Sequence, residues 1–322
     1  MTNGRVLSRV LGVVTVICVV ACGAASVARE RPADARAEES TAAPAPVRLL
    51  EGLPYVSGAA LDVHRPPAAQ NTAGSAPPTV VLVHGCCGDR SDLGKLAEAL
   101  AAAGAMVLNT DWAGFDADAR FPEAYEDVAC AVRFAHERAA GLGGDPGRVV
   151  LVGWSDGALV ASVVAAGGDT FDARRCRHPD ASARPDAVVG IAGFYGWPVP
   201  VPPRYVTPRS EAFFGGSPAT AAEAWARGTP YSWLGTGTAA PAVLLVGTTD
   251  PLVADARRYA AAVERAGSAV RLLELPPAGD QTLLSPRTRE GRTVVAEVLG
   301  AGVRAALPRC ELFPGLIPCD AT

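Results

Sequence analysis

Gly153-Trp154-Ser155-Asp156-Gly157 fits the pattern G-x-S-x-G, and the surrounding text, "VVLVGWSDGALVA", supplies an apolar β-branched run before it and an Ala/Val/Leu run after it. A strand that turns sharply into a helix presents a serine hydroxyl at the carboxyl edge of a sheet, and the flanking glycines leave room for strand and helix to approach. A serine held this way can attack a carbonyl carbon. Its hydroxyl has a very high pKa, however, and needs a neighbouring base that titrates near pH 7. Only four histidines occur, His64, His84, His136 and His178. A second motif, "HGCCGD" from His84 to Asp89, ends an earlier apolar run. A third feature, "LLVGTTDPLV", sets Asp250 just beyond another such run, followed by Pro251.

The elements that would position these residues follow from hydrophobic pattern. "VRLLEG" and "AALDVHRP" read as an opening antiparallel pair of strands, and "PPAAQNTAGSAPP" as a surface loop. "TVVLVHG" is apolar throughout and predicts a buried strand. A helix near 91–103 sets Leu93, Leu96, Ala97 and Leu100 on one face and ends at Gly104. "AMVLNT" is the next strand, and Pro122 opens a helix through about Arg138. "RVVLVG" is a strand, 156–166 a helix, and "DAVVGIAGFYG" and "PAVLLVGTTD" are strands. A helix over 256–267, the last strand "AVRLLELP" and a helix over 288–307 complete the series. Strand–helix alternation at this spacing implies right-handed crossovers and a mainly parallel sheet. One α/β domain accounts for residues 47–307. The stretch 197–237, rich in Pro, Gly and aromatics, is an excursion between two strands and the best candidate for a lid or pocket wall.

The two motifs, their order and the strand pattern resemble the α/β-hydrolase superfamily, closest to its secreted dienelactone-hydrolase-like or esterase/lipase-like branch. The resemblance covers most of residues 47–307. It implies an α/β-hydrolase fold, with Ser155 as nucleophile and an oxyanion hole built from the backbone N–H groups of Cys86 and Asp156. It also makes Asp250 the triad acid, and it places a histidine in the loop after the last strand. That loop is "PPAGDQTLLSP", and Asp280 stands at the histidine's place. A carboxylate with an ordinary pKa of about 3.9 is a weak base for a serine. The other histidines are poorly placed. His178 follows the helix after the elbow, which carries the chain about 16 Å away at ~1.5 Å per residue. His136 lies near the end of its own helix, and His64 ends a strand running the other way. His84 alone is on the right edge, where in the family it braces its loop.

Two functions follow. One is an exported serine hydrolase of carboxylic esters, slow because Asp280 replaces the base; its partner is a small-molecule ester. The other is a non-catalytic hydrolase-like protein that binds a ligand at the cell surface. Hydrophobic residues make up 49 % of the 322, and the net charge of −4 with no basic block argues against a nucleic-acid surface. No cofactor motif is present, and no Cys or His cluster has metal-ligand spacing.

The N-terminus sets the compartment. Arg5 and Arg9 precede an apolar run from Val10 to Ala21, the pattern of a secretory signal. "VVAC", Val19 to Cys22, resembles the lipobox of bacterial lipoproteins, which implies that Cys22 is acylated and that lipid holds the protein on a membrane face. Residues 1–21 are then the signal and 22–46, charged and Ala/Pro-rich, a disordered tether. Export makes disulfides the expected state of the remaining cysteines. Cys310 and Cys319 flank a Pro-containing turn in the tail, 308–322, and form the first expected pair; Cys130 and Cys176 form the second.

Overall fold

The computed structural model describes residues 47–67, 75–115, 118–236 and 240–305. Eight strands form one sheet: β1 (Arg48–Val56), β2 (Ala59–Arg65), β3 (Pro78–Val83), β4 (Met106–Thr110), β5 (Asp145–Trp154), β6 (Ala187–Ile191), β7 (Ala242–Gly247) and β8 (Val270–Leu275). Their spatial order is β1-β2-β4-β3-β5-β6-β7-β8. β1 pairs with β2, and β2 with β4, antiparallel; every pairing from β4 through β8 is parallel. This is the α/β-hydrolase fold.

Successive residues of a strand face opposite sides, so the central strands must be apolar on both. In β3, Val81 and Val83 join one core and Val80 and Leu82 the other. The first core is closed by α2 (Glu123–Leu142), α3 (Asp156–Gly167) and α6 (Val253–Arg265). The second is closed by α1 (Gly94–Ala102), α7 (Asp280–Leu284) and α8 (Arg289–Ala305). Between β6 and β7 lie two short helices, α4 (Pro208–Phe214) and α5 (Ala222–Arg227).

Three boundaries differ from the sequence pattern. β6 ends at Ile191, five residues before the end of the apolar run, because Ala192 has a left-handed φ of 45° and turns the chain out of the sheet. Asp280 opens a helical turn, α7, whose Leu283 and Leu284 are buried, so the segment after β8 is not irregular throughout. The helix expected over 91–103 starts with a 3₁₀ turn, Arg90–Leu93, capped by the Asp89 side chain on the Ser91 N–H.

The parallel registers bring the carboxyl ends of β5, β6, β7 and β8 to one edge, with Trp154 opposite Ile191 and Gly247 opposite Leu275. Ser155, Asp250 and Asp280 all lie just past these strand ends. Cys130 of α2 is disulfide-bonded to Cys176, which fastens the helix to the segment after α3. Cys22, Cys310 and Cys319, and with them the signal, tether and tail, lie outside the described residues. No helix among the described residues is long and apolar enough to cross a membrane.

Candidate active site

Ser155 has φ 53° and ψ −121°, a conformation that L-residues rarely adopt, at the turn from β5 into α3. The turn is close-packed backbone against backbone. A Cβ on Gly153 would come within 2.3 Å of Gly157 O, and one on Gly157 within 2.4 Å of His84 O. The Ser155 N–H donates to Ile191 O at 3.0 Å, and Ser155 O accepts from Phe194 N at 3.1 Å. Both main-chain groups are thus tied to β6 and the loop beyond it, which leaves the side chain to point out of the turn.

The loop after β3 crosses directly above. A Cβ on Gly85 would meet Ser155 Cβ at 3.2 Å. The loop is anchored by Arg90, whose side chain ion-pairs with Asp62 at 2.8 Å and also with Asp111, while its carbonyl accepts from Asn109 Nδ2 at 2.7 Å. Cys86 and Cys87 are bonded to each other, and Cys87 has a left-handed φ of 63°. Sequence reasoning used Cys86 for its backbone only and missed this bond; the two adjacent cysteines were its signal.

Asp156, the first residue of α3, has no carbonyl within the helix to take its N–H, which leaves that donor at the elbow. Its carboxyl points into the same space. Burial pushes the Asp156 carboxyl above the usual carboxylate range, while the Arg209 guanidinium and the Cys86 N–H hold it down. The amide read as one oxyanion donor therefore faces a carboxyl group.

A cavity of about 740 Å³ opens beside the elbow. Its walls include Cys86, Cys87, Asp156 and Leu159, then Phe115, Phe194, Trp197, Phe213 and Phe214. The excursion between β6 and β7 supplies the far wall through Trp197 and α4. Two residues near the end of the β6 run, Phe194 and Trp197, line this space. Trp112 is buried against His84, and Tyr195 is stacked on Tyr259 in the core. Arg209 was not foreseen. Its Nη2 donates to Cys87 Sγ at 3.0 Å and Cys86 Sγ at 3.4 Å, and its Nε to Phe115 O at 3.0 Å. Nothing in "TPRS" distinguishes this arginine from a surface one.

Asp250 is buried, with its Oδ1 accepting from Leu252 N at 2.8 Å. The segment carrying Asp280 packs on the same turn: Thr249 Oγ1 donates to Ala278 O at 2.9 Å, and a Cβ on Gly247 would strike Ala278 O at 1.7 Å. Asp280 Oδ1 accepts from the next residue's amide, Gln281 N, at 2.7 Å.

None of the four histidines hydrogen-bonds Ser155 or Asp250. His84 Nδ1 bonds to Gly85 O at 2.7 Å, and its Nε2 is buried without a hydrogen-bond partner. Burial lowers the His84 pKa, so the ring is neutral at pH 7. His136 is held by Pro146 O and Arg184 O, His178 packs on Phe134, and His64 lies by α1 at another surface. Among the described residues no group of three or more His, Cys, Asp or Glu could hold a metal ion.

Residues 61–260 match the family model described as BD-FAE. No curated protein matches the chain. Solved structures that it resembles include a carbohydrate esterase from gut microbiota in truncated form, at 16 % identity and TM-score 0.65, over 81 % of this chain and 98 % of that one. The butyrate-bound Est2 of the Planctomycetes species Thermogutta terrifontis, described as a thermophilic esterase, is 18 % identical, with TM-score 0.63 over 82 % and 95 %. A bifunctional GH43-CE protein of Bacteroides eggerthii is 19 % identical, with TM-score 0.61 over 77 % of this chain and 33 % of that one.

Proposed function

The chain belongs to the BD-FAE family, a carbohydrate- and feruloyl-esterase family within the α/β hydrolases, and from that premise we propose that it is an exported esterase in which Ser155 works slowly because Asp280 stands at the base's position. The observation that carries this reading is the Ser155 elbow: a serine in a left-handed conformation at the start of α3, with Gly85 packed against it and an aromatic cavity beside it.

In this account Ser155 Oγ attacks the ester carbonyl carbon, and the developing oxyanion accepts hydrogen bonds from the Asp156 N–H and from the Cys86 N–H, where it displaces the Asp156 carboxyl. Preorganised donors of this kind are each worth about 2.7–4 kcal/mol in the transition state. The acyl-enzyme forms as the alcohol leaves, and water then releases the acid. Asp250 and Asp280 lie on neighbouring turns beyond β7 and β8. A carboxylate at 280 is shorter than an imidazole and a weaker base, so it takes the Ser155 proton poorly, directly or through a water. A hydrolase site lacking one triad member retains roughly 10³–10⁴-fold catalysis over water. Activated esters are therefore the substrates on which turnover is measurable.

A fluorophosphonate probe on the purified protein tests this. The expected result is slow labelling of Ser155, together with p-nitrophenyl ester turnover above that of a Ser155→Ala control. No labelling, and turnover equal to that control, would leave the second reading, a hydrolase-like binding protein; what favours that reading is that no histidine bonds to Ser155.

Export and anchoring belong to the same proposal. The apolar run and "VVAC" at the N-terminus support lipidation at Cys22. Radiolabelled palmitate should enter the chain in a bacterial host and be lost in Cys22→Ser; equal labelling of both would refute the anchor.

A further inference from the structure

The Cys86–Cys87 disulfide is set apart from the other disulfide by where it lies. Cys130 and Cys176 are buried, at 1 % and 8 % exposure. Cys87 is exposed, Cys86 is half-buried, and both line the cavity beside Ser155. The Arg209 guanidinium donates to both sulfurs, at 3.0 and 3.4 Å. A cation there stabilises thiolate over thiol and so makes each sulfur a better leaving group in exchange. The bond also closes a small ring through the peptide that follows the Cys86 N–H, in a loop otherwise held from its far end by Arg90.

We propose that the Cys86–Cys87 disulfide is a thiol–disulfide exchange site for small dithiols that enter the ester cavity, and that its state sets whether the Cys86 N–H is aligned for the oxyanion. The second half rests on the esterase reading; the first does not. One thiolate of the dithiol attacks the exposed Cys87 Sγ. The S–S bond breaks, and Cys86 Sγ leaves as a thiolate facing Arg209. The second thiolate of the reductant then attacks the mixed disulfide, releasing the Cys87 thiolate and a cyclic disulfide. Two electrons pass from the dithiol to the protein, and the two thiolates take up protons from water according to their pKa values. Once the ring is open, the peptide between the two cysteines is no longer constrained, and the Cys86 N–H loses its fixed direction over Ser155. Oxidation by a small disulfide reverses the sequence.

The full chain is treated with dilute dithiothreitol, alkylated with iodoacetamide without unfolding, and mapped by mass spectrometry; a fluorophosphonate then measures Ser155 labelling in each state. The expected result is that Cys86 and Cys87 alkylate only after reductant, and well before Cys130 and Cys176. Arg209→Gln should slow that exchange severalfold. Ser155 labelling should fall on reduction by about tenfold or more, toward the 10²–10³ that one oxyanion donor is worth. A Cys86→Ala/Cys87→Ala chain should show no response to the dithiol, which separates this bond from Cys130–Cys176. Alkylation of Cys86 and Cys87 before any reductant, or no faster than Cys130 and Cys176, would overturn the exchange site. Selective reduction with unchanged Ser155 labelling would overturn the control of the hole. Selective reduction with no labelling in either state would uphold the exchange site and remove the esterase reading instead.

Discussion

Ser155 and Asp156 share one turn but act in opposite senses. The serine needs negative charge to be welcome at the neighbouring amides, and the Asp156 carboxyl, half-buried and facing the Cys86 N–H, adds negative charge there when ionised. Its pKa is raised by burial, so the carboxyl stays neutral up to a higher pH than a solvated one and becomes charged as pH rises beyond that. Asp156→Asn keeps an acceptor for the Cys86 N–H and removes the charge. We expect the variant to hydrolyse p-nitrophenyl acetate severalfold faster than the parent near pH 7, with the ratio shrinking as pH falls and Asp156 protonates. A ratio that is flat with pH, checked over the acid range, would mean that Asp156 does not charge beside the oxyanion. That Ser155, Asp250 and Asp280 sit just past strand ends was legible in the sequence, because each follows an apolar run. Arg209 and the Cys86–Cys87 bond were not, since both depend on where side chains meet across the cavity.

At the scale of elements, the site is a consequence of strand ends. Four parallel strands in register deliver Ser155, Asp250 and Asp280 to one edge, and this was readable from hydrophobic runs alone. What the runs did not reveal is where each element stops. Nothing in "GIAGFYG" marks the turn at Ala192, which is imposed by the bonds that Ile191 O and Ser155 O make across the elbow. Likewise "GDQTLL" shows no helical signal until Leu283 and Leu284 find the core under β7. The Cys130–Cys176 bond staples α2 to the segment following α3, across a sequence separation of 46. Replacing both cysteines by alanine should lower stability by ~3–4 kcal/mol, the loop-closure value for that span, read as the shift in the urea midpoint. A shift near zero would mean that packing alone holds α2 in place.

The whole molecule carries a pH dependence that is separate from catalysis. Asp127 on α2 is buried, and burial pushes its carboxyl up to about 6 despite the Arg175 guanidinium at 3.2 Å and the Ala113 N–H at 3.1 Å. A raised folded-state pKa means that the native state binds the proton more tightly than the unfolded chain. The stabilisation is therefore complete below about pH 4 and is lost as pH rises through about 6. Asp127→Asn removes the titration and keeps an acceptor for Ala113. The parent should lose roughly 1–3 kcal/mol relative to Asp127→Asn between pH 4 and 6.5, measured by urea unfolding at both pH values. A constant difference would place the Asp127 carboxylate in a well-compensated ion pair with Arg175.

The central claim concerns one position. The fold and the elbow are in place, and the proposed departure from a working triad is where Asp280 opens α7. The direct measurement is kcat/KM on a p-nitrophenyl ester for the parent, Ser155→Ala and Asp280→His. The account predicts slow turnover by the parent, less by Ser155→Ala, and a rise of about 10²–10⁴-fold in Asp280→His, the range that a placed general base contributes. A parent that already turns over rapidly, and that Asp280→His leaves unchanged or slows, would contradict it.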